Sequence, residues 1–499
     1  MMLSAQSPTQ LTSRPEVVAV MLGYMAVVAA IGIWATKRTR SIDDFYVAGR
    51  SLGLFPMAMA AMAATLSGFS FIGGPGLVYS LGLGAVFIIL PLSITNTLGA
   101  SVLAGPMRRL AARRAMVTVP DALRIRYDSP AAQGLAGIGI VIACAGYLAT
   151  NLLALGLVID AVFGWGLPIA IVVGAVLTVA YTVGGGILAG VYTDVFQGSV
   201  MAVASVAVTV QVWRVGQGMT AIAGDLMQAD PALLSPFGRI SPLAALSWFF
   251  VFGVGALGQP HVINKFYMLR EAARVRWYPA IMNAVMALTL LLFVGVGLVT
   301  RALVQRGTLA PLARPDDATT TFLLAFAPPA LAGLVFAGVA SAIMSSVNAF
   351  LNVGAAAVTH DVPAWIGRRW GNSLRAGRLA TLGLAAVATV IALESTLLVA
   401  LLGVFGWGLF ASTLVPSVAI GLNWDGATRE GAIASILTGI VLTVGLEALA
   451  WARVLTLPAG VSGTALGLVA SIAVFLLVSR LTSTRSHGEG PWRSRKESA

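Results

Sequence analysis

Two apolar stretches long enough to cross a bilayer are each interrupted by residues that break a helix. Leu52 to Tyr79 is interrupted at Ser67-Gly68 and at Gly73-Gly74-Pro75-Gly76, and Pro242 to Ile263 at Gly253, Gly255 and Gly258-Gln259-Pro260. In hydrocarbon a broken helix strands amides and carbonyls, so the break survives only where it is buried in protein or lines a cavity. Two discontinuous spans at corresponding positions of two halves point to a binding site near the bilayer midplane of a transporter. A lone glycine in a span reads better as a close helix contact, but several glycines together with a proline are harder to explain that way.

The rest of the chain agrees with a bilayer setting. Of its 499 residues 58% are hydrophobic and 10% charged, with a mean hydropathy of +0.90, whereas a soluble domain carries about 25% charged residues. A spanning window of about 20 residues finds thirteen candidate helices: 17–36, 52–79, 83–106, 132–162, 166–188, 195–213, 242–263, 278–300, 319–357, 376–393, 396–423, 431–451 and 463–482. Spans 132–162 and 319–357 exceed one crossing and are expected to tilt or to extend beyond the bilayer. The expected organisation is an extracytoplasmic segment 1–16, a membrane domain 17–482 and a disordered cytoplasmic tail 483–499. No cleavable signal is evident, because the first apolar run is long enough to span and stay.

Charge sets the expected orientation, since Lys and Arg are retained on the cytoplasmic side. With the N-terminus outside, only Arg14, Arg214, Arg239, Arg301, Arg306, Arg314 and Arg453 of the 31 cations face outward. The net charge of +12 is mostly that cytoplasmic excess, which also meets anionic lipid headgroups. It is scattered over several loops with no aromatic platform, which argues against nucleic-acid binding. A single cysteine, Cys144, excludes an internal disulfide or thiolate cluster. His261, His360 and His487 are too few and dispersed for a metal site.

Helices two to six and seven to eleven form two blocks, about 52–213 and 242–423, each opening with a broken helix. Five is odd, so the blocks have opposite topology, the arrangement of an inverted-repeat transporter.

The motifs resemble those of the sodium:solute symporter family. Asp44-Phe45-Tyr46-Val47-Ala48-Gly49-Arg50-Ser51-Leu52-Gly53 leads into the first broken helix, followed by Gly74-Pro75-Gly76 and Tyr79. Tyr181-Thr182-Val183-Gly184-Gly185-Gly186 precedes Thr193-Asp194 and Gln197. Gly258-Gln259-Pro260-His261 closes the seventh helix, and Ala342-Ile343-Met344-Ser345-Ser346 lies in the ninth. The resemblance runs from about Ser41 to Trp424. It implies an all-α LeuT-type fold of about thirteen transmembrane helices with two inverted five-helix repeats, N-terminus outside. It further implies sodium-coupled uptake of a small organic solute across the plasma membrane, and the high Ala, Gly and Arg content suggests a bacterium and hence its inner membrane.

Sodium prefers oxygen ligands, and Ala342, Ser345 and Ser346 stand at i, i+3 and i+4 of one helix, hence on one face. Serines in a membrane helix more often bond back to the preceding turn; the resemblance makes these two ion ligands, joined by the carbonyls of Ala63 and Leu66. Asp194 is read either as a helix cap or, by resemblance, as part of the ion pathway. Asn348 and Ala349 stand where a second sodium site would supply hydroxyls, so one sodium per cycle is expected. Thr65 stands where the proline permeases carry an acid.

Solute candidates line the two breaks: Thr65, Ser67 and Phe69 on one side, Phe252, Ala256, Gln259 and Pro260 on the other. Each also reads as ordinary packing. Gly258-Gln259-Pro260-His261 resembles the branch carrying proline, pantothenate and short carboxylates, while Ala256 replaces an aromatic of the proline permeases. With no Lys or Arg at the breaks, a carboxylate would be met by half-helix amides, which favours an amino-acid-like zwitterion or a short monocarboxylate. No constellation of nucleophile, base and metal appears, so no catalytic residue and no cofactor beyond the coupling sodium is expected. The expected partners are the solute, sodium and the bilayer, with no obligatory protein partner. Proton coupling, or a sensor or channel built on the same body, stays open as an alternative.

Overall fold

The computed structural model describes residues 15–36, 66–114, 116–268, 277–367 and 374–483. Among them every regular element is a helix, as a chain that must satisfy its backbone inside hydrocarbon requires. In chain order the α-helices are α1 (Pro15–Thr36), α2 (Gly74–Leu81), α3 (Leu90–Gly99), α4 (Gly105–Arg113), α5 (Val119–Tyr127) and α6 (Pro130–Phe163). Next come α7 (Leu167–Gly216), α8 (Met219–Ala229), α9 (Pro242–Gly255), α10 (Pro260–Met268), α11 (Tyr278–Gln305) and α12 (Ala318–Phe326). The last six are α13 (Pro329–Ala356), α14 (Val362–Trp365), α15 (Leu374–Glu394), α16 (Val399–Leu414), α17 (Arg429–Trp451) and α18 (Gly463–Ser483). Local chemistry sets several starts. Ser129, Ser241 and Thr428 accept amide hydrogen bonds from Ala132, Ala244 and Gly431 at the heads of α6, α9 and α17, each satisfying an orphan donor.

Nine helices among the described residues are long and apolar enough to cross a membrane, or ten if the bent pair across Gln259 counts as one. Around the centre, α13 packs on α1, α6 and α7, and α16 on α6, α17 and α18. Both are almost wholly buried. By contrast α15 and α17 show apolar side chains such as Leu379, Val390 and Val441 on the outer surface, where lipid would meet them.

The second interrupted stretch breaks where the sequence places it. Helix α9 tightens into a 3₁₀ turn at Ala256–Gly258, Gln259 is extended at φ −83 and ψ 105, and α10 leaves at a 42° bend. The first stretch breaks only at its first candidate. Ser67 is non-helical and its carbonyl accepts from the amides of Ser70 and Phe71. The segment from Gly73 to Gly76 instead stays helical, passing from a π turn (Phe69–Gly73) into α2. These glycines give close approach: a Cβ on Gly74 would lie 1.9 Å from the Phe293 ring, and one on Gly76 2.7 Å from Asp316 Oδ1. Packing, not unwinding, is their role.

Two further expectations are revised. Spans 166–188 and 195–213 are not separated by a loop, because α7 is helical throughout its 50 residues. Its two apolar limbs pack differently: Ile171 and Gly174 meet Gly156 and Leu155 of α6, whereas Ala204 and Val212 meet Gly338 of α13 and Gly295 of α11. Span 319–357 is divided, with α12 ending before Ala327-Pro328 and α13 starting at Pro329.

Candidate ion and solute site

Helix α13 buries Ala342, Ser345 and Ser346 on the face that meets the first break. The Ser346 hydroxyl donates to the Leu66 carbonyl at 3.4 Å, so one expected hydroxyl and one expected carbonyl do converge. The Ser345 hydroxyl donates to the Asp194 carboxylate, 151 residues away in sequence. Asp194 lies inside α7 and is buried; it therefore caps nothing, and the capping alternative is withdrawn. Ala63 and Thr65 lie outside the described residues.

Lys265 was assigned to a cytoplasmic loop by its sequence position. The structure buries it in α10, five residues past Pro260, where it interacts electrostatically with Asp194. Lys265 is thus the cation nearest in sequence to the second break, though not at it. A buried charge is tolerated only when paired and hydrogen-bonded, and the Ser345 hydroxyl supplies that hydrogen bond to Asp194.

On the solute side, the first break is held by two residues of α6 that the sequence reading did not single out. The Ser67 hydroxyl and the Tyr147 phenol are 3.1 Å apart, and the Gly68 amide donates to Asn151 Oδ1 at 3.0 Å. Asn151 is fixed in turn by donating to the Tyr147 carbonyl at 2.9 Å. Gly68 is needed there, since a Cβ would sit 2.4 Å from that of Ala154. An Asn in the middle of a long, mostly apolar helix was the available signal.

The two breaks touch through aromatic rings. Phe69 stacks on Phe252 at 5.4 Å, and Phe252 stacks on Trp407 of α16 at 5.3 Å. Gln259 donates through Nε2 to the carbonyls of Gly255 and Trp407 at 2.9 and 3.1 Å. Its Oε1, the Trp407 Nε1 and both ring nitrogens of His261 are buried without a protein partner. Unpartnered buried polar atoms call for a ligand, a water or an ion. Pro260 is buried at the start of α10, and Ala256 is half-buried in the 3₁₀ turn. Thus Phe69, Phe252 and Gln259 meet through Trp407 at the junction of the breaks, with Ser67 held beside Tyr147, whereas Pro260 lines a separate cavity with Ile140, Asn264 and Asn352.

On another side of the first break, the loop between α11 and α12 seats Asp316 against Gly76 and accepts the Val399 amide at the head of α16 at 2.9 Å. Burial pushes Asp316 up to about 7.

Comparison with known proteins places this geometry. The osmoregulated proline transporter OpuE of Bacillus subtilis (strain 168) is 27% identical over 468 residues, 92% of this chain and 94% of that one. A sodium/proline symporter of Staphylococcus aureus (strain JH9) is 28% identical over 476 residues, covering 92% and 91%. Among solved structures, the substrate-bound outward-open state of a Na+-coupled sialic acid symporter matches with a TM-score of 0.75 at 18% identity, covering 94% of this chain and 98% of that one. Mhp1, a nucleobase-cation-symport-1 family transporter, matches at 0.57 and 16% identity, covering 88% and 94%. The fold is accordingly LeuT-type. The sodium:solute symporter family model matches residues 45–439, and the chain therefore belongs to that family, multi-pass membrane transporters that use Na+ as the coupling ion and are not enzymes.

Proposed function

We propose that the protein imports a small amino-acid-like zwitterion together with one sodium ion by alternating access. The observation that carries this reading is the junction of the two breaks. There the buried Gln259 Oε1 lacks a protein partner beside the stacked Phe69, Phe252 and Trp407 rings. An acceptor oxygen and aromatic faces suit an ammonium group. The first turn of α10, opening at Pro260, offers the positive end of its dipole to a carboxylate, while the amides of Val262 and Ile263 are held by the Gln259 carbonyl. A zwitterion uses both halves, whereas a short monocarboxylate uses one, so the zwitterion is preferred. Proline falls within the class, as the relatives' names suggest, although Ala256 leaves more room beside the break than an aromatic would.

The ion is assigned to the carbonyls of Ala63, Leu66 and Ala342 and the hydroxyls of Ser345 and Ser346. One sodium per cycle is supported by Asn348 and Ala349, which stand where a second site would supply hydroxyls. We read the chain as thirteen spans with inverted repeats at about 52–213 and 242–423, the N-terminus outside and the C-terminus cytoplasmic, a reading that requires the two apolar limbs of α7 to cross the bilayer separately although the structure joins them in one helix. A reporter after Thr482 should then read cytoplasmic and one between Gly216 and Arg239 external; both on one side would refute the arrangement.

The functional test is counterflow in liposomes with a panel of radiolabelled amino acids and short organic acids, under a sodium or a proton gradient. Sodium-driven accumulation of a zwitterion is expected. Accumulation that follows the proton gradient and ignores sodium, or that is confined to monocarboxylates, would overturn the reading.

A further inference from the structure

Below the Pro260 break lies a cavity of about 20 Å³, lined by Thr118, Asn264, Asn352 and Asp361 together with Pro260 and apolar side chains. That is room for about one water-sized particle. Three of its lining residues carry oxygens with no protein partner: Asn264 Oδ1, Asn352 Oδ1 and Asp361 Oδ2. All three residues are deeply buried, at 6%, 2% and 1% exposure. Leaving a carboxylate oxygen and two amide oxygens unmatched around one small space is costly, and a ligand that only accepts lone pairs removes the cost.

The surrounding hydrogen bonds explain why these oxygens stay free. Asp361 Oδ1 accepts from Thr118 Oγ1 at 2.6 Å and from Gln133 Nε2 at 2.9 Å, which anchors the carboxylate by one edge. Asn352 spends its amide hydrogens on the carbonyl and side chain of Asn348, leaving its oxygen outward. The neighbouring acid Asp121 is used up: Gln133 and His360 approach Oδ1 at 2.9 and 2.8 Å, and the amides of Val117 and Thr118 hold Oδ2 at 2.8 and 3.1 Å. His360 is therefore engaged by Asp121, and the donor set left for a ligand is oxygen alone. Three oxygens without nitrogen or sulfur select a hard cation rather than a transition metal. Lys265 follows Asn264 directly but is a helical step away and interacts with Asp194.

Position adds a second argument. Asn352 follows Ser345 by seven residues on α13, two turns or about 10 Å along the axis. Asp361 closes the π turn that continues the same helix. Ser345, Asn348 and Asn352 thus form a stripe of oxygen-bearing side chains leading from the ion site to the cavity.

We propose that Asn264, Asn352 and Asp361 form a second, weaker binding site for a monovalent hard cation, sodium, which receives the ion after it leaves Ser345 and Ser346. The assignment rests on the sodium-coupled reading above, and its site is distinct from that of the coupling ion. It makes release stepwise, with the charge of Asp361 drawing the ion from a site built of neutral ligands.

Direct binding of radioactive sodium to the purified full chain tests this without needing the solute. The parent is expected to bind two ions per chain in a biphasic isotherm. Asp361→Asn should weaken the low-affinity phase by about tenfold or more and spare the tight phase, while Ser346→Ala should do the reverse. Asn352→Asp adds a charge to the cavity and should tighten the weak phase, a gain that misfolding cannot produce. A parent isotherm with a single phase that Ser346→Ala weakens, or a weak phase indifferent to both Asp361→Asn and Asn352→Asp, would mean that the cavity holds water only and would overturn the proposal. Loss of the Ser346-dependent phase alone from the parent would instead refute the assigned coupling site.

Discussion

Ser345→Ala and Ser346→Ala remove chemically identical hydroxyls one residue apart, yet the structure gives them different consequences. Ser346 reaches the Leu66 carbonyl at 3.4 Å, near the limit of a useful hydrogen bond, so losing that contact should change stability by less than about 1 kcal/mol. Ser345 donates to the buried Asp194 carboxylate, and a hydrogen bond to a charged group is worth about 1.5–3 kcal/mol. Each substitution also deletes one oxygen ligand of the proposed sodium site. If a ligand contributes ~1–2 kcal/mol, the sodium concentration for half-maximal uptake rises roughly 5- to 30-fold. Because coupling is reciprocal, solute affinity should fall at subsaturating sodium and recover when sodium is raised. The assay is uptake in proteoliposomes against sodium concentration, paired with thermal unfolding of the same purified variants. Ser346→Ala should show the sodium shift with near-parental stability, and Ser345→Ala the sodium shift with a clear loss of stability. Parental sodium dependence in both variants would refute the ion site, and equal stability would show that the Ser345–Asp194 bond contributes nothing.

Gly258→Leu would drive a side chain toward the Phe410 carbonyl, 2.9 Å from the ideal Cβ, and should reduce solute affinity at least about tenfold; unchanged uptake in a well-expressed variant would move the pocket elsewhere. Gly74→Ala places a methyl 1.9 Å from Phe293 and should destabilise by about 1–3 kcal/mol. Gly445→Ala in α17, with nothing within 4 Å, should be neutral or stabilising by up to about 1 kcal/mol, and equal melting temperatures for the two would sink the packing argument. The buried Asp316 carboxyl, pushed up to about 7 from 3.8, binds its proton more tightly folded than unfolded. Its contribution is full below the unfolded value and is lost as pH rises through about 7, a change of at most roughly 4 kcal/mol. Asp316→Asn should therefore flatten the fall in melting temperature between about pH 5 and 8, and a parental slope in that variant would refute the assignment.

The fold was legible because its strongest determinants are local. Long apolar runs require helices, and Gly258-Gln259-Pro260 removes a donor and tolerates an extended residue just where α9 gives way to α10. The same rule misread Gly73 to Gly76, because a glycine needed for a neighbour's ring and a glycine needed for an unwound turn look alike in sequence. Phe293, which decides the matter at Gly74, is more than two hundred residues away. Lys265 was misplaced for a related reason. Cations are assigned by their distance from apolar runs, whereas α10, leaving the break at a 42° bend, carries this one into the buried interior. The pairing of Ser345 with Asp194, and of Ser67 and Gly68 with Tyr147 and Asn151, depends on packing between helices that no local pattern reports.

Those long-range pairs suggest how ion and solute communicate. Four consecutive residues of the first break each hold a different partner. Leu66 offers its carbonyl to Ser346, Ser67 its hydroxyl to Tyr147, Gly68 its amide to Asn151, and Phe69 its ring to Phe252. The first contact belongs to the proposed ion site and the last to the proposed solute site, so less than one helical turn of backbone separates them. Fixing the Leu66 carbonyl on sodium orders the peptide that carries Ser67 and, through it, the orientation of Phe69 toward the second break. The energy spent ordering that segment is then shared by both ligands, and whichever binds first lowers the cost for the other. A segment stiffened by regular helical hydrogen bonds could not respond in this way. If sodium binds the Leu66 carbonyl as proposed, the non-helical backbone at Ser67 is a working part of the coupling.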